Sequence, residues 1–287
     1  MALSSRVPSN ASSYYFVPTI YSRRVIDTMK KNLVCWDAFD TSWEKELTKG
    51  ATLDIPLTNH VTATEVVIGT KGSALDPFAT AGKQLTIAYY YEAPVDIGYM
   101  TKRQTQADME STAVNEASYA ISVTMDTSVA TLFSSLGGYS TSAYGTDGQT
   151  LSDDILLYLK ETLDEADVPM DSDRSLIIDP SGLVDLLKID KFVAAEYGKM
   201  ADVSNGKVGR SPIYGCMVRV TNNLVAATTG SYGVMAHKKA IMGAAQIEKS
   251  WRKEFEELHE TRYQSEALWG VAEARDNFGI PFYTRKA

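Results

Sequence analysis

Cysteine is scarce in this chain: Cys35 and Cys216 are its two thiols, far apart and outside any paired motif. Such thiols suit reduced structural side chains inside a cell, not a disulfide framework. Long apolar runs are missing too. No stretch approaches the ~20 residues that a bilayer-spanning helix needs, and residues 1–20 hold no apolar secretory core. Export is therefore not expected, and the sequon at Asn10-Ala11-Ser12 carries no weight. Histidine is limited to His60, His237 and His259, with neither His-Glu-x-x-His nor paired Cys-x-x-Cys spacing, so zinc is not expected. Phosphate cradles of the Gly-x-x-x-x-Gly-Lys-Ser/Thr or Gly-x-Gly-x-x-Gly type are absent, as is the Gly-x-Ser-x-Gly elbow of serine hydrolases. Positive charge is also in deficit, with 28 Lys and Arg against 36 Asp and Glu and a net charge of −8. That argues against a protein that grips phosphate backbones, which needs a basic face. It leaves open a protein that sits beside nucleic acid without binding it tightly.

What is present is ample material for a core. The chain has 287 residues, 44% of them hydrophobic and 22% charged, enough for one large domain or two small ones. Its organising stretch is 104–136, which contains no Pro and no Gly. Val114, Ala117, Ile121, Met125, Val129, Leu132 and Leu136 recur at steps of three or four, so one helical face is apolar throughout. Gly137 and Gly138 then stop it. At about 1.5 Å per residue this spine is roughly 50 Å long. Small residues (Ala107, Ala113, Ala117, Ser118, Ala120) crowd its first half, where a neighbouring element can lie close.

Around the spine the pattern changes several times. Residues 1–13, rich in Ser and Asn, read as a mobile arm, and 18–33 as a short amphipathic helix with Ile20, Val25, Met29 and Leu33 on one side. Arg23, Arg24, Lys30 and Lys31 cluster elsewhere on it, as a solvated or subunit-facing surface. Trp36, Phe39 and Trp43 follow in a segment suited to burial. Strand-like alternation at 52–57, 62–68 and 84–91, with turn chemistry at 69–72, predicts a long β-hairpin excursion over 51–100. A two-stranded ribbon is marginal alone in water, so a neighbouring subunit is its simplest support. After the spine, a helix opens at Ser152-Asp153-Asp154 and carries Ile155, Leu156, Leu159 and Leu163. A strand at 174–178 ends in Asp179-Pro180, read as N-cap and first helical residue of a helix with Leu183, Leu186, Leu187 and Phe192 inward. A loop with Asn205-Gly206 leads to a strand at 216–220. Beyond it, 232–236 reads as extended, 238–246 as one or two helical turns, 261–274 as a strand, and 276–279 as a turn into 280–282.

Chemistry finds little purchase here. Asp153, Asp154, Glu161, Asp164, Glu165 and Asp167 gather around one helix, and a hydrolase could draw two carboxylates from such a set, but carboxylates at a helix start and on an exposed face are far more often solvated capping groups. Lys71 and Lys83 lie in the excursion, but a catalytic lysine needs burial to lower its pKa. No catalytic, cofactor-binding or metal-binding residue is assigned, and no cofactor is expected.

The order of pieces resembles the major capsid proteins of tailed bacteriophages, the Hong Kong 97-like family. Three stretches carry the resemblance: Pro18-Thr19-Ile20-Tyr21 through Leu57; Val95-Asp96-Ile97-Gly98 into the spine, with Met125-Asp126 where such helices often read Ile-Asp; and Leu176-Ile177-Ile178-Asp179-Pro180 through Gly206, Gly209 and Gly215 to Thr221-Asn222-Asn223. The resemblance implies an α+β capsid fold with an N-terminal arm (1–50), an extended hairpin loop (51–100), a spine helix of a peripheral domain (101–136), an axial domain (137–225) and a return to peripheral strands (226–287). It implies a structural, non-enzymatic shell subunit that forms pentamers and hexamers of an icosahedral shell. Scaffolding and portal proteins would be its partners, and it would enclose DNA without sequence-specific contacts or a membrane. Its place would be the virion, assembled in the host cytoplasm. An encapsulin-like cellular compartment has the same fold and is told apart by its contents, cargo enzyme in place of DNA; a carboxylate-dependent hydrolase is the reading from a different class, and a tail-tube or decoration subunit is disfavoured by the long spine.

Overall fold

The computed structural model describes residues 30–31, 33–47, 50–58, 63, 65, 68, 80–104, 109–137, 143–189 and 212–286. The chain enters through a one-turn helix α1 (Cys35–Ala38) and a 3-10 turn at Ser42–Lys45. β1 (Thr52–Thr58) and β2 (Thr80–Thr86) form an antiparallel ribbon, in register from Thr52 opposite Thr86 to Thr58 opposite Thr80. β3 (Tyr89–Gly98) and α2 (Tyr99–Gln104) lead to the spine α3 (Met109–Thr131), prolonged by a 3-10 turn at Leu132–Ser135. Then follow α4 (Asp153–Glu165), β4 (Arg174–Ile178), α5 (Pro180–Leu186), β5 (Met217–Val220), β6 (Gly230–His237), β7 (Ile241–Phe255), β8 (Glu260–Glu273) and β9 (Gly279–Arg285).

Two larger sheets result. One is antiparallel, in the order β3-β8-β7, and α3 lies against it; the other runs β5-β4-β6-β9, with only β4 and β5 parallel. The spine docks through the face its periodicity marked, with Ala117, Ile121, Met125 and Val129 buried and the small Ala113 buried beside them. Ile121 and Met125 pack against Trp269 of β8, whose indole N–H donates to Ser128 Oγ at 3.0 Å. In the second sheet every residue of β4 is buried, as befits a strand paired on both edges and covered on both faces. Leu156, Leu159 and Leu163 of α4 pack there with Leu176, Ile178, Ile280 and Phe282. Each such leucine contributes about 1.5–3 kcal/mol by leaving water. A second cluster joins the layers: Val129 and Phe133 meet Ile177, Val234 and Ile241, with Cys35 and Phe39 of the entering chain against them.

Several local expectations hold. Asp179 caps α5, its side chain accepting from Gly182 N–H at 2.9 Å, with Pro180 in the first turn. The strands read at 174–178, 261–274 and 280–282 correspond to β4, β8 and β9.

Other expectations are corrected. The single strand read at 84–91 is divided at 87–88, its first part closing the ribbon and its second starting β3 in the body sheet. Gly270 explains the close passage there, since a Cβ on it would stand 2.2 Å from Thr86 O. The helical turns expected over 238–246 shrink to a 3-10 turn at Lys238–Ala240, and β7 begins at Ile241. Ala-rich sequence favours helix locally, but β7 gains a ladder with β8 from Ile241 to Phe255, and pairing overrides propensity. Segment 226–287 does not return as one piece to the spine's sheet: β7 and β8 do, whereas β6 and β9 complete the sheet of β4 and β5. The ribbon, expected to depend on a neighbour, has its root on its own body, where Ile55 and Leu85 pack with Leu47, Met242 and Ala244. The helix read at 18–33 falls outside the described residues except at 30–31 and 33, and the turns at 69–72 and Asn205-Gly206 fall outside entirely.

Candidate functional site

One buried polar group that joins distant parts of the chain is a carboxylate that composition could not reveal. Asp126, 1% exposed, sits on α3 among apolar neighbours. Its Oδ1 accepts from the backbone N–H groups of Cys35 at 2.7 Å and Trp36 at 3.1 Å, where α1 has no partner within itself. Its Oδ2 accepts from Asn223 Nδ2 at 3.1 Å. Asn223 also reaches Thr127 Oγ1 at 2.9 Å, and Lys31 Nζ donates to Asn223 Oδ1 at 2.9 Å. Burying a charge is costly unless it is fully bonded, so these contacts tie together entering chain, spine and the strand end after β5. Met125-Asp126 and Thr221-Asn222-Asn223, marked separately in the sequence, thus meet in one junction.

The acidic set around α4 divides: Glu161, Asp164 and Glu165 line one open surface groove with Leu157 and Lys160, while Asp153 and Asp154 stand in the first turn of the helix. Asp153 accepts from Tyr214 OH at 2.5 Å, and burial with this bond pushes the Tyr214 phenol up to about 12. Asp164 pairs with Lys160 and with the buried Arg174 at 2.6 Å. Burial alone would raise the Asp164 carboxyl, but its two cations hold it below the ordinary value of 3.8. Arg174 is further held by Pro169 O at 2.9 Å and Val168 O at 2.5 Å, so the pair braces the turn between α4 and β4. Asp154, Glu161 and Glu165 face solvent.

One titratable cluster escaped the sequence reading. His237, buried at the end of β6, meets Asp171 and Asp173, with ligand-type atoms within 4.8 Å of one another. The imidazole Nδ1 accepts from Lys239 N–H at 3.1 Å and Nε2 lies 3.0 Å from Asp171 Oδ1. The ring proton therefore belongs on Nε2, pointing at the carboxylate. A metal at Nε2 needs that proton on Nδ1 instead, where it would face another N–H. The cluster is built as a hydrogen-bonded brace, and its His lowers the Asp171 carboxyl. His259 is exposed and packs edge-on to Tyr99, while His60 lies outside the described residues. Lys83 pairs with Asp276 at 3.1 Å with both side chains over a third exposed, and Lys71 lies outside the described residues. Both cysteines are buried and free. Burial raises both thiols, that of Cys216 to about 11, and Asp126 raises Cys35 further; neither is poised as a nucleophile.

The fold as a whole is similar to those of solved phage structures, capsids among them. A chain described as Mycobacterium phage Che8 superposes with a TM-score of 0.78 at 16% identity, over 93% of this chain and 97% of that one. The capsid structure of cyanophage P-SCSP1u gives 0.74 at 17% identity, over 95% and 94%. The capsid asymmetric unit of cyanophage Pam1 gives 0.71 at 11% identity, over 95% and 97%. No protein-family model matches the chain, and no curated protein matches it in sequence. The chain thus has the Hong Kong 97-like capsid fold that the resemblance implied.

Proposed function

We propose that this chain is the major capsid protein of a tailed bacteriophage, a structural subunit that self-assembles into the icosahedral shell around double-stranded DNA. The observation that carries this reading is the likeness to phage capsid chains across 95% of the sequence. Around α4, Asp164 is held by Lys160 and Arg174 and Asp153 by Tyr214, which favours structural bracing over the hydrolase reading. Pentamers and hexamers of this chain, with scaffolding and portal proteins as partners, are the assembly it implies, formed in the host cytoplasm and ending in the virion. The acidic balance of −8 suits a container whose wall does not hold phosphates tightly. Modest contacts suffice, because many act together once a ring has closed. Maturation is then a rearrangement of rigid units between two packings, with the ribbon and entering arm moving most. The test is purification of the chain, followed by light scattering across protein and salt concentration and negative-stain microscopy. Closed shells are expected; a monomer under every condition would contradict the proposal.

A further inference from the structure

Where the ribbon joins the body, the packing leaves a cavity of about 150 Å³. Four parts of the chain wall it. Trp43 comes from the entering segment, Ile55 from the ribbon, Ile241 and Met242 from the start of β7, and Ala274 from just past β8. The surface they turn to the cavity is almost wholly apolar. A water molecule needs two to four polar partners, which such a wall does not give, whereas an apolar void of this size holds one six-membered ring. Four charged residues complete the wall: Asp40, Lys83, Lys239 and Arg275. Two of them already have partners, since Asp40 Oδ1 accepts from Ser42 N–H at 3.1 Å and Lys83 Nζ pairs with Asp276 at 3.1 Å. The other two are cations. Among the described residues neither Lys239 Nζ nor the Arg275 guanidinium has a carboxylate partner, and Arg275 lies over the Phe278 ring at 5.3 Å. With the Lys83–Asp276 pair cancelling, these two cations outweigh Asp40.

We infer that this cavity binds a small aromatic carboxylate, with its single ring inside and its carboxylate at Lys239 and Arg275. Size, wall and charge each narrow the choice. The volume limits the ligand to one ring. Trp43 and Met242 suit an aromatic ring over an alkyl chain, through ring pairing and sulfur–aromatic contact. The guanidinium and ammonium suit a carboxylate, and they repel a ring that carries an ammonium group. The inference goes beyond the shell reading and does not depend on it. Its consequence for a shell is mechanical: a ring in this void touches ribbon, entering segment and β7 together, and so holds the ribbon at one angle to the body.

The test titrates the purified full chain with benzoate, benzamide and benzylamine, read by calorimetry and thermal melting. Benzoate is expected to bind saturably, with half-saturation at about 1 mM or below. Benzamide should bind more weakly, and benzylamine not at all. Lys239→Gln keeps the backbone N–H that His237 uses and should weaken benzoate by up to about fivefold while leaving benzamide unchanged. Ala274→Leu fills the void and should abolish binding of both. Hydrogen exchange over 80–86 should slow when benzoate is bound. A benzoate response that does not saturate, equal binding of all three compounds, or unchanged benzoate binding in K239Q overturns the inference. Should A274L fail to fold, the comparison of benzoate with benzamide in the unmodified chain and in K239Q decides. None of these readouts involves assembly, so their failure leaves the shell reading standing, and a chain that stays monomeric leaves this site untouched.

Discussion

Asp126 and Asn223 are 97 residues apart in sequence and 3.1 Å apart in space, one on the spine and one just beyond β5. Because the same carboxylate holds the N–H groups of Cys35 and Trp36, a single side chain fastens the entering arm to both layers. Asp126→Ala leaves those donors buried and unmatched, and should cost about 1–3 kcal/mol for each donor left without a partner. Asp126→Asn keeps an acceptor for the arm but turns an amide N–H₂ toward that of Asn223, for a loss of about 1–3 kcal/mol. Urea denaturation gives both values. Limited proteolysis should show cleavage near residues 30–38 rising first in the variants; unchanged stability in D126A would refute the junction.

The root of the ribbon is a hydrophobic anchor on the chain's own body. Leu85 is fully buried there, so Leu85→Ala should destabilise by about 2–5 kcal/mol. Gly270→Ala places a methyl against the Thr86 carbonyl at 2.2 Å and is expected to lever the root off β8. Thermal melts of both variants, compared with an exposed control such as Val184→Ala, test this anchor; variants that melt like the control would place the root elsewhere.

Acid stability should follow the paired aspartates. His237 beside Asp171 depresses that carboxyl, and Lys160 with Arg174 outweighs burial at Asp164. A depressed folded value means that the unfolded chain takes up protons first as pH falls. Their stabilisation is therefore complete above the ordinary value of 3.8 and is lost below it, through the depressed folded values. Asp164→Asn should flatten the fall of stability with pH in that acid range, as read from denaturant midpoints at successive pH values. An unchanged slope in D164N would show that the pair does not couple to folding.

Removing the cation of that brace is a separate matter. Arg174→Met leaves Asp164 with Lys160 and strips partners from Val168 O and Pro169 O. The expected loss is about 3 kcal/mol, measurable as a lower urea midpoint. The Asp164→Asn, Arg174→Met double variant should cost less than the sum of the two single changes.

Thiol labelling reports the core independently. Cys35 and Cys216 are fully buried, with raised thiol values, so a thiol reagent at pH 8 should react at the rate of chain opening and not at that of free cysteine. Urea should restore fast reaction of both thiols together, and rapid labelling of the native chain would contradict the packing around them.

The sequence by itself determined the pieces that depend on neighbours in the chain. The 3.6-residue recurrence through Ile121, Met125 and Val129 and the cap at Asp179-Pro180 are local patterns, so the spine's buried face and the start of α5 could be read directly. The apolar run Leu176-Ile177-Ile178 before Asp179-Pro180 likewise marked a strand. What tertiary structure alone decided depends on partners far away. Ala-rich 241–246 became strand because β8 pairs with it, and 84–91 broke in two because the ribbon and the body sheet compete for it. β6 and β9 joined β4 because edge pairing ignores the order of segments. Asp126 looks from sequence like one more polar residue on a helix. Only the arrival of Cys35, Trp36 and Asn223 makes it a junction, since a buried charge gains its meaning from donors that the fold brings to it.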